Sequence, residues 1–141
     1  MNARDLEIAK KLLSERKLTL CIVKNGCVVF ESRTQGIAPL VDAVAGSKDR
    51  LEDSSAADKV VGKSVAWLCV YAGLKAIYAS VVSADAVKLL KKYSIHLEYG
   101  LLVENILRAD REGICPFEQL MINVTDPVDA YRKLENACTS K

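Results

Sequence analysis

The sequence predicts an α/β domain of three layers, α/β/α, built on one mixed sheet. Three observations lead there. Two β-rich runs, Leu18 to Lys24 and Cys27 to Ser32, flank Asn25-Gly26, a pair that suits both left-handed positions of a two-residue hairpin turn. Each run holds consecutive apolar residues (Cys21, Ile22, Val23; Val28, Val29, Phe30) instead of an alternation, the mark of strands covered on both faces. Farther on, a strand–helix–strand pattern from Ala76 to Tyr99 calls for a right-handed parallel crossover in the same sheet.

The elements follow in order. Asp5 to Arg16 is an amphipathic helix, with Leu6, Ala9, Leu12 and Leu13 on one face. The hairpin comes next. Ile37, Leu40, Val41 and Val44 then recur at helical spacing, with Pro39 in the first turn and Gly46 as the stop. Ser47 to Asp53 is a charged connection. Ser55 to Gly73 is predicted as one long central helix. Ser55 is its cap, Asp58 completes a capping box, Val61, Val65, Leu68 and Ala72 form its stripe, and Gly73 is a left-handed stop. Ala76 to Val82 is a strand. Ser83 caps the next helix, with Asp85 in its first turn and Lys91 and Lys92 in its last. Ile95 to Tyr99 is a short strand ended by Gly100. Helices are expected over Leu101 to Arg108 and Pro116 to Asn123, with a turn over Ala109 to Gly113 between them. Asp126-Pro127 opens a last helix, to about residue 138.

Length and composition narrow the function. A chain of 141 residues is expected to form a single domain over 1–141. With 20 basic and 18 acidic residues the net charge is +2, and no basic run or RNA-reading aromatic motif accompanies it, so nucleic acid is not an expected partner. The longest apolar run is far short of the ~20 residues a bilayer span needs. Met1 leads directly into a charged helix, so a cytoplasmic, membrane-free protein is expected. Five cysteines without a CxxC pair, and one histidine, make neither a disulfide framework nor a zinc site. No metal and no cofactor is expected.

Two stretches carry candidate chemistry. Ala57 to Ser64 ends like a phosphate loop, Gly62-Lys63-Ser64. A phosphate loop needs glycine where Ala57 stands and a buried strand directly before it, and the sequence read as helix supplies neither. Asp58, Lys59, Gly62 and Lys63 remain as ligand-binding candidates near a helix start. Gly62 would let a strand or ligand approach the backbone, and the lysines would draw an anion toward free amides. The competing reading is close packing at Gly62 and solvated lysines. In the second stretch, Pro116 at a first helical position puts Cys115 at the cap, where a thiol gains nucleophilicity. Glu118 would reach back to the Cys115 amide. The competing reading is a cysteine that only fills space, since no histidine lies nearby in sequence. His96, alternating with Ile95 and Leu97, is a strand histidine facing outward or hydrogen-bonded.

Asp58-Lys59-x-x-Gly62-Lys63, the strand after it, Cys115-Pro116-x-Glu118 and the Asn25-Gly26 hairpin together resemble a small prokaryotic family, a domain of unknown function with a cytidine-deaminase-like fold. The resemblance covers residues 5 to 123. It implies a deaminase-like scaffold with two helix starts facing one pocket. Zinc deaminases carry His-x-Glu at the first start and Pro-Cys-x-x-Cys at the second. Placed on this sequence, those positions read Asp58-Lys59-Val60 and Ser83-Ala84-Asp85, which excludes zinc-dependent deamination. What the resemblance leaves is a pocket lined by Asp58, Lys59, Ser83 and Lys63, closed by Cys115.

The expected function is therefore a non-catalytic domain that binds a small anionic or nucleotide-like ligand. The alternative is a thiol-dependent enzyme or redox-responsive protein using Cys115. A homodimer formed through helix faces or a sheet edge is a further expectation.

Overall fold

A five-stranded mixed sheet organises the molecule, whose structure, a computed structural model, describes residues 2–107, 113 and 115–139. The strands are β1 (Leu20–Lys24), β2 (Cys27–Ser32), β3 (Ser55–Val61), β4 (Ala76–Ser83) and β5 (His96–Val103). Their spatial order is β2-β1-β3-β4-β5. The helices are α1 (Asn2–Glu15), α2 (Ala38–Leu51), α3 (Lys63–Ala72), α4 (Ala84–Lys92), α5 (Pro116–Leu120) and α6 (Pro127–Thr139).

The hairpin forms as predicted. Asn25 and Gly26 both take positive φ, 53° and 81°, and β1 pairs antiparallel with β2. The Asp5 carboxylate of α1 accepts both turn amides, from Asn25 at 2.9 Å and Gly26 at 2.8 Å. The first helix is thereby pinned to the turn. β1 also pairs antiparallel with β3, while β3, β4 and β5 run parallel. Among the described residues α1 is the one helix on its face, where Ala9, Leu13 and Leu18 meet Cys21, Val23 and Ala57. α2, α3, α4 and α6 cover the other face over a larger core that includes Ile22, Ala56, Leu68, Ile77 and Leu134. α6 joins that layer through Tyr131, which stacks on Tyr71 of α3 at 4.4 Å.

Several expectations are corrected. The segment Ser55 to Gly73 is not one helix: its first seven residues are β3, in the middle of the sheet. Ser55 caps nothing, and its Oγ is buried without a partner among the described residues. The strand lies between two others and is covered by helices on both faces, so its apolar residues show no alternation and also satisfy a helical period. Gly46 does not stop α2, which runs on to Leu51; Asp49 and Arg50 are exposed, and Leu51 is buried at the end of the helix.

β5 does not end at Gly100. It continues through Leu101, Leu102 and Val103, the start of an expected helix, paired with β4. A Cβ on Gly100 would stand 3.0 Å from the Ser80 carbonyl oxygen, so the glycine marks a close strand approach and not a stop. As an outer strand β5 exposes Tyr99, Leu101 and Leu102. The expected turn over 109–113 lies, apart from Gly113, outside the described residues. α5 is shorter than expected, ending at Leu120. The cap at Ser83, the cap at Asp126 and the left-handed Gly73 (φ 76°) all form as the sequence predicts. No helix among the described residues is long and apolar enough to cross a membrane.

Candidate functional site

The site is built where β3 ends. Gly62 follows Val61 in an extended conformation and caps α3 without a side chain to offer its first amides. Those amides would otherwise lack partners. A carboxylate from α5 supplies them. Glu118 Oε1 accepts from the Lys63 amide at 2.6 Å, and Oε2 accepts from the Ser64 amide at 3.0 Å and from its hydroxyl at 2.6 Å. The negative group sits at the positive end of the helix, where peptide dipoles favour it. A Cβ on Gly62 would collide with this carboxylate. Gly62 is therefore a close-approach glycine, and what approaches is Glu118. Glu118 does not reach back to the Cys115 amide, because its oxygens are committed to α3; Cys115 caps α5 without a side-chain hydrogen bond.

Beside this contact lies a cavity of about 330 Å³. Its walls are mainly apolar: Leu20 of β1, Ile37 before α2, Val60, Val65 of α3, Ile106 and Phe117. Thr19, Gln35, Asp58, Cys115 and Glu118 add polar groups. Asp58 keeps partial access to it, yet burial pushes its carboxyl up to about 7 against the opposing pull of the Val60 and Lys59 amides. Val60 donates to Oδ1 at 3.2 Å. Among the described residues no cation pairs with Asp58. Its charge is felt by Cys69 inside α3, whose thiol is pushed up by burial first and by Asp58 second.

The other sequence candidates divide. Strand alternation sends neighbours to opposite faces: Ala56 belongs to the α2–α3 core and Ala57 to the α1 core. Asp58 accordingly faces α3. Lys59 borders the cavity but also a second hollow on the α1 side, with Lys10, Lys17 and Tyr78. Lys63 contributes its amide and does not line the cavity. Ser83 is buried, accepts from the Ala86 amide at 3.2 Å, and does not line the cavity either. The two helix starts therefore do not converge on one cavity through these side chains. His96 stands on β5, with Nε2 3.1 Å from a Glu98 oxygen; Lys10 holds the other oxygen at 3.0 Å. His96 and Lys10 together hold the Glu98 carboxyl below its usual range. Sequence reasoning missed Thr19, Gln35 and Phe117, which are brought to the cavity from three separate segments and carry no local signal.

Asp58-Lys59-Val60, expected at a helix start, lies on β3 instead, and the helix begins at Lys63. The second helix start remains Ser83-Ala84-Asp85. Neither carries a histidine or cysteine. Among the described residues no group of three His, Cys, Asp or Glu side chains is placed to hold a metal ion.

Comparison with known proteins finds a family model and several solved structures. The sequence model of a domain of unknown function, DUF1893 (TM1506), matches residues 8–138. The crystal structure of a DUF1893 family protein, TM1506 from Thermotoga maritima, is similar with a TM-score of 0.88 and 29% identity, over 97% of this chain and 92% of that one. Two deaminase structures match more loosely. The dCMP deaminase from the cyanophage S-TIM5 has a TM-score of 0.49 at 15% identity, over 70% of this chain and 95% of that one. A diaminohydroxyphosphoribosylaminopyrimidine deaminase/5-amino-6-(5-phosphoribosylamino)uracil reductase from Thermotoga maritima has 0.46 at 14%, over 85% and 39%. A search of the curated proteins finds no match.

Proposed function

The chain belongs to the DUF1893 family, and we propose that it is a small-molecule-binding domain that uses a deaminase-like scaffold without the zinc chemistry. The observation that carries this reading is the cavity at the end of β3, apolar in most of its wall and bordered by the Asp58 carboxyl, which among the described residues is matched neither by a cation nor, as Glu118 is, by a helix start. Concave, mostly apolar sites with a few placed polar groups are where small ligands bind, and open α/β sheets place them at the carboxyl ends of parallel strands. A volume of about 330 Å³ suits a ligand of nucleobase or nucleoside size. The α3 amides are taken by Glu118, so the ligand engages the cavity beside them, not the amides themselves.

Thermal-shift measurements with nucleobases, nucleosides and nucleotides test this. Val60 lines the cavity and is 44% exposed, so Val60→Trp fills the site without touching the core. A compound that raises the melting temperature of the wild type and not of Val60→Trp supports the reading. No shift across the panel, or a full shift in Val60→Trp, contradicts it.

A second reading, thiol chemistry, draws on the place of Cys115 in the same cavity wall. No histidine borders the cavity to serve as its base, since His96 lies on β5 with Glu98. Turnover of any acyl or disulfide substrate that survives Cys115→Ser would remove it.

A further inference from the structure

We propose that the cavity selects a small planar organic cation, an amidine or a protonated heteroaromatic amine, held against Asp58. This rests on the binding reading above and names its ligand class.

The two carboxylates bordering the cavity have different standing. Glu118 is satisfied: three donors and the positive end of α3 face it. Asp58 is not. Its hydrogen bonds come from the amides of its own strand, and no lysine, arginine or histidine forms an ion pair with it among the described residues. A carboxylate taken out of water without a counter-charge is unfavourable, and a cation brought to it relieves the penalty. Among the described residues, none of the titratable groups around it is paired with it as a counter-charge. Cys69 behind it on α3 and Cys115 across the cavity are thiols, Glu118 is an anion, and Lys59, which borders both this cavity and the hollow on the α1 side, forms no ion pair with it.

The rest of the wall fits a flat apolar body. Leu20, Ile37, Val65 and Phe117 supply the surface, with Thr19 and Gln35 as further polar contacts. An amidinium presents two parallel N–H groups, the geometry a carboxylate accepts best. The surrounding low-dielectric wall strengthens that pairing relative to water. The Asp58 carboxyl, pushed up to about 7 by burial, adds a consequence: the cation binds the ionised form, so binding strengthens as pH rises through neutrality.

Three compounds of one shape separate the possibilities: benzamidine, benzamide and benzoate, titrated into the full chain by calorimetry at pH 6 and pH 8. The expected order at pH 8 is benzamidine well ahead of benzamide, with benzoate weakest. Benzamidine affinity is expected to fall about tenfold at pH 6, because the ionised fraction of Asp58 falls from about nine-tenths to about one-tenth. Asp58→Asn is expected to bring benzamidine to the level of benzamide and to remove the pH dependence. Benzamide binding as well as benzamidine, or Asp58→Asn retaining full affinity, overturns the cation preference and leaves the binding reading standing. Binding of none of the three also overturns it, and the nucleoside panel with Val60→Trp then decides the binding reading separately. Should Asp58→Asn fail to fold, equal benzamidine affinity at both pH values in the wild type is sufficient to overturn the inference.

Discussion

The Glu118 carboxylate and the Ser64 backbone and hydroxyl, 54 residues apart in the chain, meet at 3.0 and 2.6 Å. A short helix near the C-terminal end thus caps the helix that follows the central strand. The same contact forms one side of the cavity that Asp58 enters.

Removing this cap should weaken the fold. Hydrogen bonds to a charged group contribute about 1.5–3 kcal/mol each, and they do not add fully because they share one carboxylate. Glu118→Ala is expected to lower the unfolding free energy by about 2–4 kcal/mol, and Glu118→Gln by less. Urea unfolding reads this directly. A wild-type midpoint in Glu118→Ala would mean that α3 does not depend on α5.

Gly62 and Glu118 should be energetically coupled. The added methyl of Gly62→Ala meets the carboxylate, so it is expected to cost about 1–3 kcal/mol in the wild type, as overpacking does. In a Glu118→Ala background only the weaker capping preference of alanine remains, under about 1 kcal/mol. Equal costs in both backgrounds, measured as a double-mutant cycle, would rule out the close approach.

The Asp58 carboxyl makes stability fall with rising pH. Its pKa is raised from an ordinary 3.8 to about 7 by burial. Below pH 3.8 both folded and unfolded chains hold the proton, and there is no contribution. Between 3.8 and 7 the folded chain holds a proton that the unfolded chain has released, so stability declines as pH rises. Above 7 the penalty is complete. Its ceiling is about 4 kcal/mol, reduced by the access Asp58 keeps to the cavity. Asp58→Asn should be more stable than the wild type at pH 8 and should lose this slope. Unfolding curves at pH 5 and pH 8 that shift identically in both proteins would contradict the assignment.

Cysteine labelling should follow accessibility. Cys21 and Cys69 are buried, with thiols pushed up by burial, Cys21 to about 11. They should resist iodoacetamide in the native state, while exposed Cys27 and half-buried Cys115 react. A ligand in the cavity should protect Cys115 and leave Cys27 unchanged. Peptide mapping by mass spectrometry checks this, and equal protection of both would place the ligand elsewhere.

Much of the fold was legible in local signals. Asn25-Gly26, Ser83, Gly73 and Asp126-Pro127 each act within a few residues, and each forms as expected. Ser55 to Val61 is not legible as strand, because the apolar residues Ala56, Ala57 and Val61, buried on two faces, show no alternation, and Val61 also fits a helical stripe. Two β-branched residues directly before Gly62 are the signal that could have separated them. Leu101 to Val103 was misread because Gly100 looks like a stop, while its close neighbour, Ser80, belongs to another strand. The cavity was legible only in part. Asp58, Gly62, Cys115 and Glu118 stood out as residue types, but that Glu118 caps α3 depends on tertiary placement that no spacing encodes.

The most direct measurement is a crystal structure of the protein soaked with benzamidine at pH 8. The account predicts the amidinium within hydrogen-bond distance of both Asp58 carboxylate oxygens, its ring against Val65 and Phe117, and Glu118 still on Lys63 and Ser64. An empty cavity at saturating compound, or benzamidine bound away from Asp58, would contradict it.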